Sequence, residues 1–328
     1  MTADALPTFD DVLSAAERVR GVARETPVLT HDALDEMAGG SLFIKAESLQ
    51  VTGSFKIRGA MNRLSQIPAD QRAAGVVAFS SGNHAQGVAR AARLLGMPAL
   101  IVMPSDAPRI KVAGVEADGG EVRLYDRETE SREEIAAQIA AERGAVVVPS
   151  FDDKDIIAGQ GTAGLEFARQ MEQADTPLDH LICCAGGGGL ITGVALAMEH
   201  LSPDTRIWAA EPAGHDDWAR SLEAGDIRAN APGTRSICDA ILTPAPGKIT
   251  FALGKRLLSG GLVVSDEDVR GAMQAAFRYL KIVAEPGGAA ALAAAIKGLP
   301  DEMRGKRIGV LVTGGNVDAE KFAAVLTG

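Results

Sequence analysis

The sequence predicts an α/β protein built on mainly parallel sheets. Three observations carry that reading. Short β-rich apolar runs alternate with longer Ala-rich stretches of helical periodicity, two Gly-containing turns each link such a run to a helix, and four runs cluster between Gly75 and Pro149.

In chain order the strand candidates are LFIKAE from Leu42, GVVAFS from Gly75, ALIVM from Ala99, EVRLY from Glu121, AVVVP from Ala145, HLICCA from His180, RIWAAE from Arg206 and RIGVLVTGG from Arg307. Each is short and rich in β-branched or aliphatic residues, as buried strands of a parallel sheet are. Between them HAQGVARAARLLG (84–96), SREEIAAQIAAERG (131–144) and TAGLEFARQMEQ (162–173) place apolar residues at helical spacing, and the first two close on Gly. AEPGGAAALAAAIKG (284–298) reads as a helix entered through a Pro-Gly turn. The compact βα series predicts a small α/β unit over residues 73–149, inserted into a larger one made of 1–72 and 150–328. A length of 328 residues favours two such units, with a single barrel as the alternative. There is no fixed-period repeat and no low-complexity linker.

Composition narrows the function classes. Hydrophobic residues make up 46% and charged residues 23%, with a formal net charge of −10 and no basic stripe, so nucleic acid is not an expected partner. No run approaches the ~20 apolar residues that span a bilayer, and MTADALPTFDDVL lacks the features of a leader; the expectation is a cytoplasmic protein with no membrane partner. Cys183, Cys184 and Cys238 are too few for a disulfide framework and read as core thiols. The five histidines show no ligand spacing for zinc.

Three segments carry chemistry. In TGSFKIRGA (52–60), Lys56 lies beside Phe55 at a helix start, where a desolvated amine is a Schiff-base nucleophile; taken alone, the segment favours a surface lysine, and only its context reverses that. AGGGGLITG (185–193) follows an apolar strand and opens a helix, so several unobstructed N–H groups converge at a positive helix end, a phosphate cradle. The rival dinucleotide fingerprint fails because no starting glycine completes GxGxxG, although Glu211 stands about twenty residues on, where a ribose-binding acid belongs. In FSSGNHAQGVA (79–89), Ser80, Ser81, Asn83 and His84 crowd a strand-to-helix turn able to receive a carboxylate; ordinary N-capping would explain one of them. VTGGNVD puts Thr313 at a strand C-terminus, where open α/β sheets gather ligands.

SFKIRGA, SSGNHAQG, IAGQGT, CAGGGGL, AAEP and VTGGNVD, in this order and spacing, resemble the fold type II pyridoxal-phosphate enzymes. The group in view is that of serine/threonine dehydratases, serine racemases and 3-hydroxyaspartate dehydratases, and the similarity covers nearly the whole chain. It implies a tryptophan synthase β-like fold: two open, twisted, mainly parallel sheets flanked by helices. It further implies that Lys56 carries pyridoxal 5'-phosphate as a Schiff base, Phe55 lies against the ring, Asn83 bonds the ring hydroxyl, Gly186, Gly187, Gly188 and Gly189 hold the phosphate, and Thr313 faces the ring nitrogen where relatives often have Ser. A neutral partner leaves that nitrogen largely unprotonated and the ring a weaker electron sink, which favours prompt loss of a β leaving group.

The expected reaction is β-elimination from a small hydroxy-amino acid, threonine or serine, to a 2-oxo acid and ammonia. The freed Lys56 amine takes the Cα proton. Ser80, Ser81, Asn83 and His84 bind the substrate carboxylate, and Ser81 matches the second acid/base of serine racemases, so some racemisation is an alternative. Arg132, in ETESREE, matches an arginine able to meet a second substrate carboxylate, which makes 3-hydroxyaspartate the alternative substrate; a surface salt bridge is its plainer reading. Glu211 and Asp217, with the backbone carbonyl of His215, match ligands of a divalent cation, magnesium or calcium, and a solvated acidic loop is the competing reading. The resemblance also implies a homodimer, and with the sequence ending at Gly328, soon after VTGGNVD, no C-terminal regulatory domain is expected. The stretch APGTRSICDAILTPAPGKITF (231–251) falls where relatives shape their substrate pockets. Readings from other classes are a nucleotide-binding oxidoreductase and a non-catalytic amino-acid sensor; the second should have lost the base that Lys56 supplies.

Overall fold

The computed structural model describes residues 6–80 and 82–328. Six strands, β1 (Val28–Leu29), β2 (Ser41–Ala46), β7 (His180–Cys184), β8 (Arg206–Pro212), β9 (Gly260–Val264) and β10 (Arg307–Val312), form one sheet in the order β1-β2-β10-β7-β8-β9. All its pairings are parallel except β1 with β2. A second, wholly parallel sheet has the order β5-β4-β3-β6, built from β3 (Val76–Phe79), β4 (Ala99–Pro104), β5 (Glu121–Tyr125) and β6 (Val146–Val147).

Burial explains why the apolar runs became strands. All residues of β4 and of β7 are buried, as happens when helices cover both faces of a parallel sheet. On one face of the six-stranded sheet lies the helix Pro286–Ile296, whose Ala-rich middle is wholly buried and whose first residue is the proline that cannot donate. The helices Lys154–Gln173 and Gly189–Leu201 cover the other face through Phe167, Met171, Ile191 and Val194. Around the four-stranded sheet, Asn83–Leu94 packs on one side and Arg132–Arg143 on the other.

Two strands escaped the sequence reading. β1 is only two residues long, and β9 begins with two glycines, a composition that lowers strand propensity. The helix expected from Thr162 starts eight residues earlier, at Lys154, capped by Asp153. Gly159 and Gly161 interrupt its pattern because they sit at close helix contacts: a Cβ on Gly161 would lie 2.7 Å from the carbonyl oxygen of Gly193.

The helix Lys56–Ser65 joins the two sheets. Ile57, Ala60 and Leu64 pack with Ala85, Val88 and Ala89 of the four-stranded unit, while Gly59 abuts Gln160 of the larger one. Its first turn is anchored by Arg58, whose guanidinium binds Glu47 at 2.7 and 2.8 Å and Glu166 at 3.1 Å, with Lys45 also paired to Glu166. Burial alone would raise the Glu47 carboxyl, yet the adjacent Arg58 holds it below its ordinary value. This buried, charge-balanced cluster fixes the helix that begins with Lys56.

Candidate active site

The C-terminal ends of both sheets face the start of the Lys56 helix. Before it the chain turns through Thr52 (φ 68°) and Gly53 (φ 70°), and Ser54 pairs with Gly314 just beyond β10. Phe55 N–H then donates to the Thr313 carbonyl at 3.2 Å. The Lys56 amine donates to the carbonyl of Ser150, beyond β6, at 3.1 Å and lies 5.1 Å from the Phe55 ring centre. Burial lowers its pKa to about 8, against opposing contributions from Cys184 and Glu285. A lysine so placed has a neutral fraction near neutral pH, as a nucleophile or proton acceptor requires.

Beyond β7, Gly186–Gly189 make the turn into the helix Gly189–Leu201. Among the described residues none of the four N–H groups donates to a protein acceptor, although Gly187, Gly188 and Gly189 are buried. Unpaired buried amides at a helix N-terminus form an anion cradle. Gly188 occupies the left-handed region at φ 96°, and a Cβ there would lie 2.1 Å from the Trp218 ring; a Cβ on Gly187 would strike the Phe151 ring at 2.3 Å.

On the opposite rim, the helix Asn83–Leu94 presents Asn83. Its Oδ1 accepts from Asn316 Nδ2 at 2.9 Å, and one amide hydrogen is taken by Glu285. The second N–H is left for a ligand. Asn316 also donates to Thr52 O at 2.7 Å, tying the turn before Lys56 to the loop after β10. Glu285, buried, is raised by burial despite Lys111, whose amine stands 3.2 Å from both Glu285 and Asp239.

His84 is buried, with Nε2 3.2 Å from the Val148 carbonyl and no partner for Nδ1 among the described residues. Burial, reinforced by Lys56, pushes it down to about 3, so the ring is neutral with its proton on Nε2. Ser80 Oγ accepts from Gly82 N at 3.1 Å. Ser81 lies outside the described residues. Arg132, the first residue of its helix, pairs with Glu133 at 2.8 Å, and its guanidinium carbon sits 5.5 Å from the centre of the Phe79 ring, next to Ser80 in the chain. Thr313 Oγ1 is 3.2 Å from Cys184 Sγ, so one of the thiols read as core lining reaches this site. For Cys238, burial pushes the thiol up to about 12 and makes it inert.

The acidic group at the end of β8 stands apart. Glu211, fully buried, accepts from the N–H groups of Trp218 and Ala219 at 2.9 Å each. Asp217 Oδ1 accepts from Asn230 at 2.6 Å, whereas its Oδ2 and both ring nitrogens of His215 have no partner among the described residues. Burial pushes Glu211 up to about 8 and Asp217 up to about 6. Among the described residues no cluster of three or more His, Cys, Asp or Glu side chains is arranged to hold a metal ion.

Lys56, Phe55, Asn83, the glycine turn and Thr313 therefore converge, with Ser80 and His84 on one rim and Arg132 beyond Phe79; Glu211, His215 and Asp217 form a separate group. Sequence reasoning missed Asn316, Glu285, Lys111 and Trp218. The signals were faint: an Asn inside VTGGNVD and an acid directly before the Pro of an otherwise apolar helix.

Comparison with known proteins gives a consistent result. The family model described as pyridoxal-phosphate dependent enzyme matches residues 19–314. The chain is 47% identical to an L-threo-3-hydroxyaspartate ammonia-lyase from a Pseudomonas species, over 98% of this chain and 99% of that one. It is 41% identical to a serine racemase of Schizosaccharomyces pombe, with 98% of each covered. The structure of maize serine racemase superposes with a TM-score of 0.90 at 39% identity, covering 98% of this chain and 97% of that one.

Proposed function

The chain belongs to the family of pyridoxal-phosphate dependent enzymes, and from that premise we propose that it is an ammonia-lyase acting on 3-hydroxyaspartate, giving oxaloacetate and ammonia. Threonine and serine were the first expectation from sequence; the relatives favour the alternative, because two further similar proteins, at 41% identity, are also 3-hydroxyaspartate lyases or dehydratases. The observation carrying the substrate choice is Arg132 stacked over Phe79: a guanidinium held beside the carboxylate-binding turn provides for a second substrate carboxylate.

Pyridoxal phosphate, when bound, supplies the electron sink for the carbanion formed at the substrate Cα. The residues present fit it. The unpaired amides of Gly186–Gly189 would hold the phosphate, the spare Asn83 N–H would donate to the ring hydroxyl, and the Thr313 hydroxyl would face the ring nitrogen. Lys56, lowered to about 8, takes the proton from Cα at its Nζ. Neutral His84 brings no positive charge to the turn, which supports binding of the α-carboxylate by the hydroxyls and amides of Ser80, Ser81 and Asn83. Ser81 is also the candidate second acid/base for any racemisation.

A magnesium or calcium ion at Glu211 and Asp217 is part of the same proposal. The unpartnered Asp217 Oδ2 fits a cation, and because two carboxylates alone are few, the His215 carbonyl would complete an oxygen donor set.

The test compares keto-acid release from 3-hydroxyaspartate, serine and threonine by kcat/KM, in the native protein and in Arg132→Met. The expected result is a preference for 3-hydroxyaspartate that falls about 10- to 100-fold in the variant, the loss of a charge-assisted hydrogen bond, with serine turnover unchanged. A preference for serine or threonine, or equal losses on all three substrates, refutes the substrate assignment. Failure of borohydride to fix the cofactor on Lys56 refutes the role of that lysine.

A further inference from the structure

The glycine turn has an outer surface as well as an inner one, and it is built by residues that the reading above does not use. A peptide between two glycines flips at small cost, because glycine adopts either sign of φ. Each flip would replace an inward N–H by an inward carbonyl oxygen, and a carbonyl facing a phosphate is repulsive. A cradle of bare glycines therefore needs its carbonyls held outward. Here they are. Trp218 Nε1 donates to Gly186 O at 2.6 Å, Thr250 Oγ1 donates to Gly187 O at 2.7 Å with the Gly247 N–H on the same oxygen at 3.2 Å, and Thr192 Oγ1 and N–H take Gly188 O at 2.8 and 3.0 Å.

The two outer side-chain donors, Trp218 and Thr250, are themselves fixed. Trp218 is fully buried, its backbone N–H is bound to Glu211, and its ring packs against Phe251 at 6.1 Å between centres and fills the space beside Gly188 and Gly254. An indole N–H is a donor only, so it has no alternative role in this apolar setting. Thr250 rides on the helix Lys248–Leu257, whose first three amides are capped by Asp152 at 2.8 to 3.2 Å.

We infer that Trp218 and Thr250 are positioning residues for the phosphate cradle: by holding the Gly186 and Gly187 carbonyls outward, they keep the amides of the turn directed at the phosphate of the cofactor. The inference rests on the proposed cofactor role of that turn. It separates from a structural role because the clamps act on the phosphate alone. Pyridoxal, which lacks the phosphate, reports every other contact.

The experiment strips the full-length protein of cofactor and titrates it with pyridoxal phosphate and with pyridoxal, following absorbance, for the native chain, Trp218→Phe and Thr250→Val. The 31P resonance of the bound phosphate is recorded in parallel. Each variant is expected to weaken pyridoxal phosphate binding about tenfold, the worth of one lost hydrogen bond, with pyridoxal affinity within about twofold of native and the 31P shift moved. Thr250→Val is nearly isosteric and decides the matter if Trp218→Phe folds poorly. An unchanged ratio of the two affinities in Thr250→Val, with an unchanged 31P resonance, overturns the inference. If instead the native chain does not prefer pyridoxal phosphate to pyridoxal, the cofactor role of the glycine turn is what fails.

Discussion

Replacing Lys111 by Met gives a sharp test of how the two sheets are joined. Lys111 belongs to the helix Arg109–Ala117 of the four-stranded unit, is almost fully buried, and meets Asp239 and Glu285 of the larger unit at 3.2 Å each. Asp239 is half exposed and keeps its hydration without the amine, whereas Glu285 is buried and loses its only cation within salt-bridge distance among the described residues. Removing one partner of a buried pair costs about 3–5 kcal/mol while the remaining charge persists. Burial already raises Glu285, and loss of Lys111 raises it further. The folded variant then holds a proton that the unfolded chain releases, so this stabilising contribution is complete below the unfolded carboxyl value and is lost as pH rises through the folded one. Relative to the native chain, the deficit grows with pH by up to about 1.4 kcal/mol per unit. Urea unfolding should show a larger deficit at about pH 8.5 than at about pH 5.5. Adding Glu285→Gln should restore most of the loss, because a neutral amide still accepts from Asn83. A deficit equal at both pH values, or a double variant as unstable as the single one, refutes the account of this contact.

Three further outcomes follow from the site. Gly188→Ala should cost about 1–2 kcal/mol from its left-handed backbone alone, plus the clash with Trp218; a lower melting temperature with loss of bound cofactor is expected, and an unchanged one contradicts the geometry. In the cofactor-free protein the rate of Lys56 modification by an amine reagent should rise with pH and reach half its maximum at about 8; a midpoint near that of an ordinary lysine would mean that the amine is solvated. Magnesium or calcium at a hundredfold excess over its Kd should stabilise the protein by about 2.7 kcal/mol in urea unfolding, and Asp217→Ala should abolish the gain; a native chain indifferent to both ions removes the cation from the site.

The sequence disclosed the fold through features local to each segment. Eight of the strand runs, and the glycine turn after His180–Cys184, could be read from apolar runs and punctuation without knowledge of any partner. The same is true of Lys56 and Asn83, whose motifs mark helix starts. What stayed hidden was relational. Asn316 binds Asn83 across 233 positions, Glu285 binds it across 202, and the ion pair from Lys111 to Asp239 spans 128. No periodicity encodes which of several polar residues in a loop will turn inward, or that a lysine on a short amphipathic helix will be buried by another unit. Cys184 is buried on its strand, as the apolar run indicates, but nothing in that run encodes that its neighbour will be Thr313.

The electrostatic layout also bears on the kind of reaction the site favours. At the end of β7 and β10 the facing groups are a hydroxyl and a thiol, Thr313 Oγ1 and Cys184 Sγ, and neither is a carboxylate able to stabilise a protonated ring nitrogen. The buried carboxylate of the site, Glu285, is instead bound to Asn83 and balanced by Lys111 on the other rim. On the proposed reading, negative charge is kept from the nitrogen end and used at the hydroxyl end to orient the Asn83 amide. With a neutral partner at Thr313 the ring would be the weaker electron sink, which would favour loss of a β leaving group. Exchanging Thr313 for Asp would reverse that arrangement, and the expected result is slower keto-acid release. Unchanged turnover in that variant would show that the neutral partner has no part in selecting elimination.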